Sequence, residues 1–141
     1  MALAHIDGID LSYDTFGDPA DPTILLISGL GVQSLIFPEA FCAGLVDRFF
    51  HVIRFDNRDS GHSTKFADHV VDLTAVHEAV VAGESPEVPY RLADMAGDGV
   101  ALLDHLGVDR AHVLGMSMGG MIAQVLAVTH PDRVLSLTNL M

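Results

Sequence analysis

Cysteine, lysine and tryptophan are almost or wholly missing from this chain of 141 residues, which has one cysteine, one lysine and no tryptophan. A single cysteine, Cys42, excludes a fold held together by internal disulfides and fits a reducing compartment. Seven basic residues stand against nineteen acidic ones, for a net charge of -12. Because Lys65 and the scattered arginines form no basic patch, we expect the protein to bind neither nucleic acid nor an anionic membrane surface.

Long apolar runs and a basic N-terminal segment are missing as well. Nowhere in the chain do eighteen uncharged apolar residues follow one another, which is about the length that a membrane-spanning helix needs. The first residues, MALAHID, lack the basic start and the apolar stretch of a secretory leader. We therefore expect a soluble, cytoplasmic protein.

What the chain does have is a regular succession of short apolar runs and amphipathic stretches. The alternating pattern of 6–16, with turn residues Asp7 and Gly8, predicts an antiparallel hairpin. Continuous aliphatic runs predict buried parallel strands at 23–28, 51–55, 111–116 and 134–140, and helical periodicity predicts helices at 38–46, 90–106 and 118–130. This order predicts an α/β fold with a mostly parallel sheet and helices on both faces.

The segment 64–89 interrupts this succession. Its apolar residues Val70, Leu73, Val76 and Val80 recur at helical spacing before a Pro-rich end. The segment is interpreted either as a lid helix inserted over the functional site or as a solvated excursion without a functional role.

A glycine-flanked serine follows the predicted strand 111–116. The run GMSMG at 115–119 places Ser117 between that strand and a helix, which is the context of a nucleophile elbow. Gly115 and Gly119 have no Cβ, so strand and helix can approach closely while the serine Oγ projects at the helix N-terminus. There the free backbone amide of Met118 favours an anion. The alternative is a glycine-rich turn in which the serine merely caps the helix.

An oxyanion site needs a second donor. The run SGLG at 28–31 follows the first predicted parallel strand, and the backbone amide of Leu30 in it is our candidate. Two amides aimed at one point stabilise a developing oxyanion by several kcal/mol. A purely structural turn is the alternative.

From about residue 4 to its end the chain resembles the α/β-hydrolase superfamily. The resemblance rests on SGLG at 28–31, DNRDSGHS at 56–63 and the serine elbow. At finer grain, the stretches 16–22, 51–64 and 107–119 are similar to bacterial esterases of the aclacinomycin methylesterase type, which cleave a carboxylic methyl ester. Two positions depart from the usual pattern: many relatives have His-Gly where this chain has Ser28 and Gly29, and a glycine where it has Asp59.

The resemblance implies a small-molecule ester as substrate and no cofactor or metal. A serine nucleophile implies ester, thioester or related acyl chemistry over haloalkane or epoxide opening. Carbon-carbon bond hydrolases and perhydrolases share this serine, so the substrate class stays open.

A catalytic acid and base are not evident. The family order is serine, then carboxylate, then histidine, but only 24 residues follow Ser117, with His130 and Asp132 among them. A helix over 118–130 places His130 roughly 20 Å from the serine. His112 lies at the wrong end of its strand, and His62, His69 and His77 remain as substitutes. We therefore expect residues 1–141 to be the N-terminal half of an α/β-hydrolase domain, truncated after the strand 134–140.

That strand would then form an uncovered sheet edge. We expect it to pair with a missing C-terminal half, or to self-associate.

The sequence also suggests other interpretations. Gly29 and Gly31 with Asp56 imitate a dinucleotide-binding unit, although Ser34 stands at the third glycine position. The chain could also be a non-catalytic interaction module that docks a partner across its open edge. Histidine and carboxylate spacings match no metal motif. The sequence favours structural roles for two further sets of residues: Asp56, Arg58 and Asp59 as a local hydrogen-bonded turn, and Asp94, Asp98 and Asp104 as a solvated helix face.

Overall fold

A six-stranded sheet organises the chain in the computed structural model, which describes residues 1–140. Its strands are β1 (Ala2–Ile6), β2 (Ile9–Phe16), β3 (Thr23–Ile27), β4 (His51–Phe55), β5 (Ala111–Met116) and β6 (Val134–Leu140). The order across the sheet is β1-β2-β4-β3-β5-β6. The first two strands pair antiparallel with their neighbours, while β4, β3, β5 and β6 run parallel to one another.

Four helices connect these strands: α1 (Glu39–Val46), α2 (Leu73–Val81), α3 (Leu92–His105) and α4 (Met118–Thr129). Short 3-10 turns at Ser34–Ile36 and Pro131–Arg133 precede α1 and β6. None of the helices among residues 1–140 is long and apolar enough to cross a membrane. The predicted ends of α1, α3 and α4 differ from the observed ones by one or two residues.

Both faces of the parallel part are covered, as predicted. Along β3, Leu25 and Ile27 join the cluster packed with α3 and α4, whereas Ile24 and Leu26 join a cluster with Cys42 of α1. Alternate residues of a strand point to opposite faces, so a run of apolar residues fills two layers at once. The predicted mostly parallel sheet with helices on both faces is confirmed.

The prediction that 134–140 is a buried strand is wrong in its burial, although its limits are right. Only Val134 of β6 is half-buried, and every following residue is exposed. The reason is its position, because β6 pairs with β5 along one edge and no strand within residues 1–140 pairs with its other edge. Its apolar side chains Leu135, Leu137 and Leu140 are each 40–42% exposed.

The segment 64–89 contains one helix, α2, in agreement with the predicted periodicity. The carboxylate of Asp72 caps it by accepting from the amides of Thr74 and Ala75 at 2.9 and 3.2 Å. No residue of α2 is buried, so this helix has no part in the core. Whether it acts as a lid stays a prediction.

The exposed edge of β6 generates a first prediction. In a parallel strand a residue directs its N–H and C=O to the same side. Successive residues direct these groups to opposite sides. The carbonyl of Leu140 faces β5, where it accepts from Ser117 N–H at 2.8 Å. Leu137 is three residues earlier, so its N–H and C=O face the open side. We expect the 141-residue chain to self-associate as its concentration rises, as measured by sedimentation velocity, and Leu137→Lys to weaken the association because a lysine blocks edge pairing.

Val128→Lys is the matched control, since it adds the same charge at a side chain of α4 that is 80% exposed. A wild-type chain that sediments as a monomer at every concentration would contradict the prediction, as would equal effects of the two lysines.

Candidate active site

Ser117 occupies the junction at which β5 ends and α4 begins. Its backbone has φ 54° and ψ -122°. Residues other than glycine rarely adopt a positive φ of this kind. Such a residue stores about 1–3 kcal/mol of strain and persists only where its surroundings enforce it. The side chain is exposed, so the strained turn presents Oγ to solvent.

Two glycines enforce that turn by letting main chains touch. A Cβ at Gly115 would overlap the carbonyl group of Gly119, and a Cβ at Gly119 would overlap the carbonyl oxygens of Ile27 and Ser28. The first turn of α4 therefore lies directly on the backbone of β5 and of β3. No other residue type fits at either position without moving the helix away from the sheet.

Backbone hydrogen bonds secure both sides of the elbow. Ser117 N–H donates to the carbonyl of Leu140, and Gly120 N–H donates to the carbonyl of Ser117, each at 2.8 Å. Met118 is the first residue of α4, so its amide has no acceptor inside the helix. This free N–H and the helix dipole favour negative charge beside the serine.

The loop after β3 lies against the elbow. A Cβ built on Gly29 would be 3.2 Å from Ser117 Cβ and 3.6 Å from Ser117 Oγ, so this glycine touches the serine side chain. Leu30 follows immediately, and its side chain is 78% exposed. Whether its backbone amide serves as an oxyanion donor stays a prediction.

A second loop, 56–63 after β4, holds the loop 28–34 in place. Asn57 Nδ2 donates to the carbonyl of Ser28 at 2.9 Å. Ser60 Oγ donates to the carbonyl of Val32 at 2.8 Å. Sequence reasoning missed Asn57, because the partner of its side chain lies 29 residues upstream and only its position just after a strand signalled a role.

Asp56 fixes the start of the second loop. It is 1% exposed, and its two oxygens accept from Ser34 N–H at 2.8 Å and His62 N–H at 3.0 Å. A carboxylate that is buried and bonded in this way is not available to the ribose of a dinucleotide. Asp56 therefore cannot be the ribose-binding carboxylate that a dinucleotide-binding unit needs.

Asp98 is not on a solvated helix face, so that prediction is wrong. It is 6% exposed and accepts two hydrogen bonds from Arg58, at 2.7 Å from Nε and 2.6 Å from Nη2. The bond to Asp98 raises the pKa of the Arg58 guanidinium. Arg58 thus leaves the local turn predicted for it, because it reaches a partner 40 residues away. Asp94 and Asp104 of the same helix are exposed, as predicted.

A cleft of about 410 Å³ opens beside the elbow. Gly29–Gly31 and Met118 line it, together with residues of the second loop and residues at and just before the start of α3. The residues in these last two groups are Asn57, Arg58, Asp59, Ser60, Tyr90, Arg91, Leu92 and Met95. The cleft is therefore bordered by both loops, by the first residue of α4 and by the start of α3.

No histidine among residues 1–140 is hydrogen-bonded to Ser117 Oγ. His112 Nδ1 lies 2.8 Å from Ser136 Oγ, and His130 Nδ1 lies 2.8 Å from Thr129 Oγ1. The described part of the chain also has no group of three His, Cys, Asp or Glu side chains placed to share a metal ion. The site as described thus consists of a serine and backbone amides.

A parallel sheet whose strand β5 delivers a left-handed serine to a helix N-terminus defines a serine-elbow α/β protein. The sequence model of one family, described as the alpha/beta hydrolase fold, matches residues 22–141. The chain belongs to the α/β-hydrolase family.

Named relatives lie in the same family. Rhodomycin D methylesterase DnrP of Streptomyces peucetius is 37% identical over 134 residues, and the match covers 94% of this chain and 39% of the relative. 3-Oxoadipate enol-lactonase 2 of Acinetobacter baylyi is 31% identical over 89% of this chain and 39% of its own length. The crystal structure of an enol-lactonase from Burkholderia xenovorans LB400 superposes with a TM-score of 0.75 at 30% identity, covering 96% of this chain and 45% of that one. The chain thus spans about two fifths of the length of the curated relatives it matches.

The glycine contacts predict opposite effects for two similar substitutions. Gly119→Ala forces a methyl group into the carbonyls of Ile27 and Ser28, so we expect it to lower the free energy of unfolding by about 3 kcal/mol. Gly97→Ala is the matched control in α3, where a Cβ meets nothing within 4 Å. It is expected to raise stability by about 0.5–1 kcal/mol. Urea denaturation of both variants checks this, and equal midpoints would contradict the steric argument.

Proposed function

We propose that the protein is a serine hydrolase that cleaves a carboxylic ester, with Ser117 as its nucleophile. One observation carries this proposal: Ser117 is held in a left-handed conformation at the N-terminus of α4, with Gly29 of the neighbouring loop against its side chain. Strain at an exposed serine whose side chain lies outside the core is the kind of feature that function explains. The family membership and the names of the relatives support the same chemistry.

In the proposed reaction, Ser117 Oγ attacks the ester carbonyl carbon while a base takes its proton. The carbonyl oxygen becomes an oxyanion, which accepts hydrogen bonds from the amides of Leu30 and Met118. The bond to the alcohol oxygen then breaks, and the alcohol leaves with the proton from the base. Water attacks the acyl-Ser117 ester in the second half, which releases the carboxylic acid and returns the proton to Oγ.

The base in this proposal is a histidine oriented by a carboxylate, supplied from outside residues 1–140. A serine hydroxyl is a weak nucleophile at neutral pH without such a partner. Within the described residues the histidines near the sheet are engaged elsewhere, as with His112 and Ser136. The residues described here would then supply the nucleophile and the oxyanion donors but neither the acid nor the histidine.

A small-molecule ester with an apolar portion is the proposed substrate. Four apolar residues line the cleft beside the elbow: Leu30, Met118, Leu92 and Met95. The similar proteins named above are a methylesterase and enol-lactonases, and both a methyl ester and a lactone are carboxylic esters. The chemistry proposed here needs only protein groups and water, without a cofactor.

A non-catalytic interaction module is the second candidate, and the open edge of β6 favours it. That strand exposes Leu135, Leu137 and Leu140 and unpaired backbone groups, which another strand could join. The two candidates differ in whether Ser117 reacts.

Covalent labelling of the full-length protein by a fluorophosphonate distinguishes them. We expect the probe to modify Ser117, as located by peptide mass spectrometry, and Ser117→Ala to lose labelling and at least about 10⁴-fold of kcat on a p-nitrophenyl ester. Ser85→Ala is the matched control, since Ser85 is another exposed serine outside the elbow. A folded wild-type protein that the probe does not label would refute the hydrolase and leave the interaction module.

Two substitutions of one residue test the oxyanion role of Leu30. Leu30→Pro removes the backbone N–H, and we expect kcat to fall by about 10²–10³-fold, the loss typical of one oxyanion donor. Leu30→Ala keeps the amide and shortens a cleft side chain that is 78% exposed, so it controls for the lost side chain, with any loss expected in KM and kcat retained. Steady-state kinetics on both variants, with folding verified by circular dichroism, makes the comparison. Equal kcat values for the proline and alanine variants would remove Leu30 from the mechanism.

A further inference from the structure

Asp59 is a second residue whose backbone is in the left-handed region, with φ 64°. Its carboxylate makes two strong contacts in return. Oδ1 accepts from Phe66 N–H and Oδ2 accepts from Tyr90 Oη, both at 2.6 Å. Its own N–H donates to the carbonyl of Thr64 at 2.9 Å. A glycine would adopt this backbone conformation without strain but would make neither side-chain bond.

Those two bonds join the beginning and the end of one segment. Phe66 and Tyr90 flank residues 67–89, and their rings lie 5.2 Å apart, centroid to centroid. The guanidinium of Arg58 lies 5.5 Å from the Phe66 ring and 5.2 Å from the Tyr90 ring. We call Arg58, Asp59, Phe66 and Tyr90 the neck cluster. Aromatic and cation-π contacts of this kind each contribute to holding the rings in place.

The neck cluster is anchored to the main fold by an ion pair. Arg58 binds Asp98 of α3 through two hydrogen bonds, and both side chains are largely buried, at 11% and 8% exposure. Two parallel bonds fix the plane of a guanidinium as well as its position. The rings stacked on Arg58 are thereby oriented relative to α3.

The segment between the two ends has little else to position it. Its helix α2 has no buried residue, so the core does not determine where residues 67–89 lie. Closing a loop at its neck removes much of the freedom of the chain inside it, so the neck cluster restrains this segment, together with the hydrogen bond that Arg91 Nη2 donates to the carbonyl of Pro86 at 2.7 Å.

Tyr90 belongs both to the neck cluster and to the cleft. It lines the cleft together with Leu30 and Met118, which are the proposed oxyanion residues. Burial, followed by the bond to Asp59, raises the pKa of Tyr90 to about 12. The hydroxyl thus stays protonated at neutral pH and donates to the carboxylate throughout.

We propose that Asp59 is a specificity-determining positioning residue: by joining Phe66 to Tyr90 it sets the Tyr90 ring as a fixed wall of the cleft, and so limits the apolar group that an ester places there. The substrate class is an ester whose apolar group is small enough to pass this wall. The inference rests on the proposed hydrolase function. Asp59 acts through Tyr90 and has no part in bond breaking.

Two variants of the full-length protein break the same bond from its two ends. Tyr90→Phe keeps the ring and removes the hydroxyl, and Asp59→Gly removes the carboxylate at a backbone conformation that glycine tolerates. Tyr13→Phe is the matched control, since Tyr13 is the other tyrosine of the chain and lies in β2, away from the cleft. The rate of amide hydrogen exchange in residues 67–89 reports how firmly the neck cluster holds this segment, independently of catalysis.

We expect amide hydrogen exchange in residues 67–89 to be about tenfold faster in both variants. This is the factor by which losing a hydrogen bond to a charged group shifts an opening equilibrium. We also expect selectivity for p-nitrophenyl acetate over p-nitrophenyl hexanoate, the ratio of the two kcat/KM values, to fall roughly fivefold. A merely structural role would lower both kcat/KM values together and leave their ratio unchanged. Tyr13→Phe should alter neither readout.

Each contrary result has a distinct meaning. Wild-type exchange in both variants would show that the Asp59–Tyr90 bond does not hold the segment, and would overturn the proposal. Faster exchange with an unchanged selectivity ratio would overturn the specificity role. A wild-type protein that a fluorophosphonate does not label would refute the proposed function, and the specificity role with it, while the exchange measurement would still decide whether the neck exists.

Discussion

The close approach of two main chains at Gly115 and Gly119 is the constraint on which the site depends. Because neither residue has a Cβ, α4 begins on the backbone of β5 and β3, and Ser117 must turn through the left-handed region to join strand and helix. If the helix stood one methyl group farther out, the serine would relax and the amide of Met118 would move away from it. The geometry of the elbow is thus a consequence of packing between backbones.

Polar bonds between loops extend this geometry away from the elbow. Asn57 and Ser60 hold the carbonyls of Ser28 and Val32, while Asp56 holds the amide of Ser34. Each of these side chains is mostly buried, where a lost hydrogen bond leaves an unsatisfied polar group that costs about 1–3 kcal/mol. Such bonds specify one arrangement of the loops better than apolar contacts do, because they are satisfied in only that arrangement.

Local pattern was enough to predict the strands and helices, and contact between distant residues was what it could not reveal. The strands 51–55, 111–116 and 134–140 have the predicted limits, since a continuous aliphatic run marks its own ends. The prediction that β6 is buried was wrong because burial depends on what lies beside a strand. The prediction of a solvated Asp98 was wrong for a similar reason: helical spacing placed it among acidic residues, whereas its partner Arg58 lies 40 residues away in sequence. The elbow was predictable because its residues are contiguous, and Asn57 was missed because its partners are not.

Residues 1–140 contain four non-glycine residues with positive φ. Two of them lie in tight turns, and the other two lie at the candidate site. Asp7 lies in the hairpin turn between β1 and β2, and Phe49 lies in the connection from α1 to β4, where tight turns account for the conformation. Asp59 instead lines the cleft, and Ser117 lies against Gly29, which also lines it. At Asp59 a glycine would avoid the strain, so the carboxylate and its bonds to Phe66 and Tyr90 are what the strain maintains. At Ser117 no hydrogen bond from the side chain offsets the strain within the described residues, and this difference from Asp59 is what supports the role proposed for the exposed Oγ.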